Sequence, residues 1–156
     1  MIDPPHVSQT IDRRTAVIRM VVPKAEIQQV MGPAIREVIA TVTAQGLVPA
    51  GPLFTHHFRL DPEVFDFEVG VPLNSKVTAE GRVVPGRLRA AKVATTVYHG
   101  PYEGLESAWQ EFTDWLISQE LVPADDVWEY YRIGPESGPD SAAWETDLIQ
   151  PLDDPA

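Results

Sequence analysis

The side chains that could do chemistry in this sequence are carboxylates and aromatic rings set on strand-like segments. Trp128, Glu129, Tyr130 and Tyr131 follow one another, so alternation places Trp128 and Tyr130 on one face and Glu129 and Tyr131 on the other. Further on, Glu145 and Asp147 share a face, with Trp144 on the opposite one. Two carboxylates beside an aromatic-rich strand can pair with an organic cation, whose charge also interacts with ring faces. One of them, held in an apolar pocket, could instead work as a general acid or base. Spacing alone equally allows a solvated face whose charges keep the chain soluble.

Other chemistries find no support. The chain has no cysteine, which excludes disulfides, thiolate zinc sites and cysteine nucleophiles. His56 and His57 are adjacent, so on a strand they point to opposite faces and do not share a metal. No His-x-x-x-His or Glu-x-x-His spacing, no Gly-x-Ser-x-Gly elbow and no phosphate-cradling glycine loop occurs. Neither a metal nor a cofactor is expected.

The elements that must position these residues come as a duplication. Gln45-Gly46-Leu47-Val48-Pro49-Ala50 returns, almost half the chain later, as Gln119-Glu120-Leu121-Val122-Pro123-Ala124. Each copy follows a helical pattern, precedes an aromatic-rich strand pattern, and belongs to a half that closes on Pro-Leu (72–73 and 151–152). The first half reads as a strand over 15–22, a helix over 26–44 and a hairpin of strands over 53–60 and 65–72. Gly32-Pro33 predicts a kink or restart in that helix, and Gly46 predicts its end. The second half reads as a strand over 88–98, a helix opening at Pro101, and strands over 127–133 and 143–149 joined by the Gly134–Pro139 loop. Along that helix Leu105, Ala108, Trp109, Phe112, Trp115 and Leu116 form a core stripe, with Glu103, Glu106, Glu111 and Asp114 facing water. Two β-α-β-β units make an α+β protein, a curved antiparallel sheet of six to eight strands carrying two helices, with a pocket expected at the seam. The repeats are expected at about 6–76 and 85–153 of a single domain spanning 1–156.

Length and composition agree with one domain: 156 residues, 44% of them hydrophobic, suffice for a proper core. No basic start followed by an apolar run and no membrane-length apolar stretch is present, so a soluble cytoplasmic protein is expected. The net charge of −11 is uneven. Residues 1–92 carry 11 basic and 9 acidic groups; the remainder carries Arg132 alone against 14 acidic ones. No basic groove runs through that second half, so nucleic acid is not expected as a direct partner.

Several of these segments resemble the GyrI-like small-molecule-binding family. They are Val97-Tyr98-His99-Gly100-Pro101-Tyr102 with Leu105 and Trp115; Trp128-Glu129-Tyr130-Tyr131 with Gly134-Pro135; and Thr146-Asp147 with Pro151-Leu152. Gly51-Pro52 before Phe54, and Phe67-Glu68-Val69-Gly70-Val71-Pro72, add to the likeness. The family is similar to the effector-binding half of AraC-type and MerR-type multidrug regulators and to a gyrase-inhibitory protein. The resemblance implies an amphipathic, often cationic or aromatic ligand held between the repeats against a buried acidic residue. It also implies a rival activity, hydrolysis of cyclopropane-bearing or other electrophilic compounds, for which Glu145, Asp147 and Tyr131 would be the catalytic candidates. The ligand-lining candidates are Phe54, His57, Tyr102, Trp109, Trp128, Tyr131 and Trp144, with Glu145, Asp147 or Glu129 as counter-charge. Because the first repeat opens almost at Met1, a freestanding member without an attached DNA-binding domain is expected. A third reading is an acidic protein-interaction module, which the charge of the second half allows.

Overall fold

The computed structural model describes residues 2–134, 138 and 140–153. Of the Gly134–Pro139 loop, residues 135–137 and 139 lie outside the described residues, and with them the Pro135 of the sequence motif. Eight antiparallel strands and two main helices give the α+β class. The chain divides into two compact units: residues 11–90, and residues 91–156 together with 1–10.

The first unit contains β2 (Arg13–Pro23), α1 (Ile27–Ala44), β3 (Phe54–Leu60), β4 (Val64–Leu73) and β5 (Val84–Leu88). Its strand order is β3-β4-β2-β5. The second unit contains β1 (His6–Gln9), β6 (Lys92–His99), α2 (Leu105–Ser118), β7 (Val127–Ile133) and β8 (Glu145–Pro151). Its order, β7-β8-β6-β1, is the same arrangement element for element. The outer strands are exchanged along the chain. β1, inside the bounds expected for the first repeat, pairs with β6 of the second unit (His6 opposite Thr95), while β5, at the start expected for the second repeat, pairs with β2 of the first unit (Thr15 opposite Gly86). The single strand expected over 88–98 is therefore two: Leu88 closes β5 in one unit, and the chain has changed units by Lys92.

Each helix lays one stripe on its sheet. The buried residues of α1 are Ala34, Val38 and Val42, and those of α2 are Ala108, Phe112 and Leu116. The two sets correspond one to one under the same offset that relates the repeated hexapeptides. In the first unit this stripe meets Ala16, Ile18, Met20, Phe67 and Val69. In the second it meets Ala94, Tyr98 and Leu148. Fully buried Val, Leu, Ile, Phe and Met side chains contribute about 1.5–3 kcal/mol each from water exclusion, which is why the stripe recurs in both units while the outer helix faces differ. The helix α1 runs through Pro33 without a restart. Proline removes one backbone donor there, and the packed stripe on either side outweighs that local loss. The last strand also differs from expectation: residues 141–143 form a single 3-10 turn, capped by Asp140 accepting from Ala142 N–H, and β8 begins at Glu145.

Candidate functional site

In the second unit β7 turns Glu129 towards α2, and the residue is only 8% exposed. Trp109, on α2, donates its indole Nε1–H to Glu129 Oε2 at 2.6 Å. Tyr131, two residues along the same strand face, donates its hydroxyl to Glu129 Oε1 at 2.7 Å. Both acceptor atoms are thus held by neutral donors, and no basic side chain among the described residues pairs with this carboxylate. The Tyr131 ring stands edge-on to Tyr102 at 5.7 Å, and Tyr102 lies 5.0 Å from Trp144. Five of the sequence-predicted site residues (Tyr102, Trp109, Glu129, Tyr131 and Trp144) therefore form one chain of contacts.

Local structure explains how these rings converge. Tyr102 sits in a short turn, residues 102–104, that leads into α2. The turn is anchored by Gly100 N–H donating to the Trp144 carbonyl at 3.1 Å and by Tyr98 O–H donating to the Pro101 carbonyl at 2.7 Å. The Tyr98 hydroxyl occupies the volume that a side chain at residue 104 would need: a β-carbon there would lie 2.1 Å from it. Gly104 is thus a requirement of the site's framework, and the sequence reading passed over it. The signal available was a glycine next to the first turn of a helix, where it otherwise weakens the element. Thr146, opposite Tyr131 on β8, is fully buried, and its hydroxyl has no hydrogen-bond partner among the described residues.

Glu145 and Asp147 lie on the other face of the strands. A bulge in β7 between Tyr131 and Ile133 carries Arg132, whose Nε meets Asp147 Oδ1 at 2.8 Å and whose Nη2 meets Glu145 Oε1 at 3.3 Å. Burial pushes the Asp147 carboxyl above the usual carboxylate range; Arg132 opposes this shift and Glu145 adds to it. Trp128 is fully buried on that same face, opposite Ile149. Phe54 and His57 belong to the first unit, where Phe54 is fully buried and His57 stacks on Phe67 at 5.2 Å. The structure therefore sorts the predicted residues into three groups, of which only the first contains a buried acid among aromatics.

Two cavities lie elsewhere. One, of about 470 Å³, is lined by Asp12–Thr15, Lys76, Val77 and Pro85–Arg87. The other, of about 280 Å³, is lined by Ile2–Pro5, Glu111 and Trp115. Neither includes Glu129, because Trp109 and Tyr131 fill the space against its carboxylate. No helix of the described residues is long and apolar enough to cross a membrane.

The second unit thus sets a buried acid among aromatic rings on one copy of a duplicated β-α-β-β fold of the α+β class. The model of the GyrI-like small molecule binding domain matches residues 4–153, and the chain belongs to that family. No curated protein matches the sequence. Among solved structures, the C-terminal domain of EcmrR is similar with a TM-score of 0.84 at 20% identity, covering 96% of this chain and 97% of that one. EcmrR in its complex with DNA matches with the same TM-score at 21% identity, and there the chain spans 96% of its own length but 57% of the EcmrR chain. SAV2435 bound to tetraphenylphosphonium has a TM-score of 0.67 at 10% identity, over 97% of this chain and 94% of that one. A hydrolase from Listeria innocua has a TM-score of 0.66 at 12% identity, over 96% and 91%.

Proposed function

We propose that the second unit binds an amphipathic organic cation, with Glu129 as counter-charge and Trp109, Tyr131, Tyr102 and Trp144 as the aromatic wall. The observation that carries this reading is a buried carboxylate held only by neutral ring donors. A buried acid without a basic partner is costly to keep unless a cation completes it. The buried Thr146 hydroxyl beside Tyr131 adds an unused polar group to the same wall. Glu145 and Asp147, already matched by Arg132, are the poorer counter-charges. SAV2435, which shares the fold, holds tetraphenylphosphonium, a ligand of the chemistry proposed here. To seat such a cation, Trp109 and Tyr131 swing off the carboxylate or keep one bond each while their ring faces meet the charge.

The test is a titration of tetraphenylphosphonium and a neutral tetraphenyl analogue, followed by tryptophan fluorescence, since Trp109 touches Glu129 directly. Saturable quenching by the cation is expected, with the neutral analogue weaker. Glu129→Gln keeps the shape and one acceptor, its oxygen accepting from Trp109 while its amide N–H donates to the Tyr131 oxygen, and weakens cation binding by about 1–3 kcal/mol. Equal affinity in parent and variant removes Glu129 from the site.

The Tyr131–Glu129 hydrogen bond at 2.7 Å favours one second reading. A phenol and a carboxylate so paired can deliver a proton to a leaving group and direct a water, the parts a hydrolase of strained electrophiles needs. Its mark is product formation from a cyclopropane-bearing alkylating compound, lost in both Glu129→Gln and Tyr131→Phe.

A further inference from the structure

The first unit carries a second, oppositely charged feature that the aromatic cluster does not use. Arg13, Arg14, Lys76 and Arg87 line one cavity of about 470 Å³, with Asp12 as its single acidic residue. Arg14 and Arg87 stand directly opposite each other on β2 and β5, a like-charge arrangement that weakens strand pairing. Asp12 engages Arg87 from the rim. Arg13 is steered by its Nη2–H donating to the Ala50 carbonyl at 3.1 Å. Arg14 and Lys76 form no ion pair or side-chain hydrogen bond with described residues. Thr15, next to Arg14 on β2, turns its buried hydroxyl to the opposite strand face, towards Gly86.

Repulsion retained between cross-strand arginines and two uncommitted cations in one concavity have a common resolution. We propose that this cavity binds a small, multiply charged oxyanion of the phosphate type. Guanidinium groups offer paired donors that match such an anion's oxygens, and an ammonium adds a point charge. The anion would take over the charge that Asp12 alone offsets now. This site shares no residue with the Glu129 cluster, and its occupancy is independent of the cation reading.

Isothermal titration of the whole chain with sodium pyrophosphate at low ionic strength tests it, with sodium chloride of matched ionic strength as the reference. Saturable binding is expected, weakened about threefold or more by Arg14→Ser and by Lys76→Ser and abolished by the double variant. Arg36→Ser, an exposed cation on α1 away from the cavity, leaves it unchanged. Without pyrophosphate, Arg14→Ser is at least as stable as the parent in thermal unfolding, because the cross-strand repulsion is gone. Heat signals matched by chloride, or equal weakening in Arg36→Ser, mean general charge screening and overturn the site. Tighter binding of an oligonucleotide than of pyrophosphate, with the same variant pattern, overturns the small-anion assignment.

Discussion

Thr55 and Glu129 occupy the same place in two copies of one fold, and they have opposite characters. The neighbours correspond too: Phe54 with Trp128, both fully buried, and His57 with Tyr131, each followed by a bulge in its strand. In the first unit the residue opposite His57 is Phe67, whose ring stacks on the imidazole and fills the space under α1. In the second unit the residue opposite Tyr131 is Thr146, a smaller side chain, and Tyr131 turns onto Glu129. The helix differs to match, with Ile35 where α2 has Trp109 and its N–H donor. One copy is closed by hydrocarbon and the other by hydrogen bonds to an acid. A duplicated scaffold thus keeps its core stripe twice and can dedicate one copy to a candidate polar site, because the stripe uses Ala108, Phe112 and Leu116 while the acid is met by Trp109 beside it.

The largest test of that difference is to move the acid. Thr55→Glu buries a carboxylate at a position that is 1% exposed, with Ile35 in place of an indole donor. A loss of about 3–5 kcal/mol is expected in denaturant unfolding, the usual cost of an uncompensated buried charge. An unchanged midpoint would show that the first unit accepts an acid as readily as the second.

Gly70 sharpens the comparison from the backbone. Its counterpart beside Trp128 is Ile149, yet a β-carbon on Gly70 would lie 2.0 Å from the Ala16 carbonyl oxygen and 2.7 Å from Val17 Cγ1. Gly70→Ala is expected to cost about 1–3 kcal/mol, or more if β2 and β4 cannot part. Near-parent stability would mean that the strands of the first unit are no closer here than those of the second.

On the outer faces the copies are more alike, and the effects are smaller. Glu68 and Asp147 occupy corresponding places, and burial pushes both carboxyls up; His56 and then Arg19 oppose the shift in one, Arg132 in the other. Asp66, the counterpart of Glu145, goes the other way. Burial would raise it, but hydrogen bonds from Arg59 and Arg19 hold it below its ordinary value. A carboxyl whose folded pKa is raised favours the folded state when protonated, so it loses stability as pH rises from its unfolded value through the folded one. Asp147 therefore makes the second unit less stable as pH climbs above about 4, and Arg132 limits the loss. Arg132→Met is expected to cost at most about 1 kcal/mol at pH 7, given how exposed the arginine is, and less as pH falls and Asp147, whose carboxyl is raised by burial, takes up its proton. A difference that persists unchanged at low pH would mean the arginine acts by packing rather than charge.

How much of this could be read from the residues differs by level. The duplication, both helices and the two hairpins follow from periodicity and turn chemistry, because each is a local pattern that recurs at one fixed offset. The exchange of β1 and β5 does not. His6–Gln9 is a short strand exposed throughout, with no alternation to mark it, and its partner β6 begins only after the whole first repeat has passed. The candidate site was half legible. Alternation separated Glu129 and Tyr131 from Trp128 and Tyr130, but it carried no information on which face the helix covers. Glu145 and Asp147 therefore looked as suitable as Glu129. Arg132, the one basic residue after Lys92, was the available clue, since a lone cation beside two acids marks them as already paired. Helical spacing favours core over ligand wall for Trp109; its partly buried ring packs against the core cluster, and its N–H reaches the acid.

The smallest expected effect is also the cleanest comparison, because the two helix ends match in their bonding. After α1, Gly46 N–H donates to the Thr43 carbonyl and Leu47 N–H to Val42, both at 3.0 Å. After α2, Glu120 N–H donates to Ile117 and Leu121 N–H to Leu116, again both at 3.0 Å. Both ends require a left-handed residue, φ 73° at Gly46 and φ 58° at Glu120. Glutamate is the worse choice, since its β-carbon crowds the next carbonyl in that conformation. Glycine removes that strain but costs entropy in the unfolded chain, so Glu120→Gly is expected to gain only about 0.5 kcal/mol. Gly46→Ala meets no atom within 4 Å, so its cost is conformational alone, about 1 kcal/mol. Thermal unfolding of the two variants should therefore move in opposite directions from the parent. Movement in the same direction would mean that Glu120 is held in place by something its counterpart lacks, and the helix ends would have to be counted among the differences between the two copies.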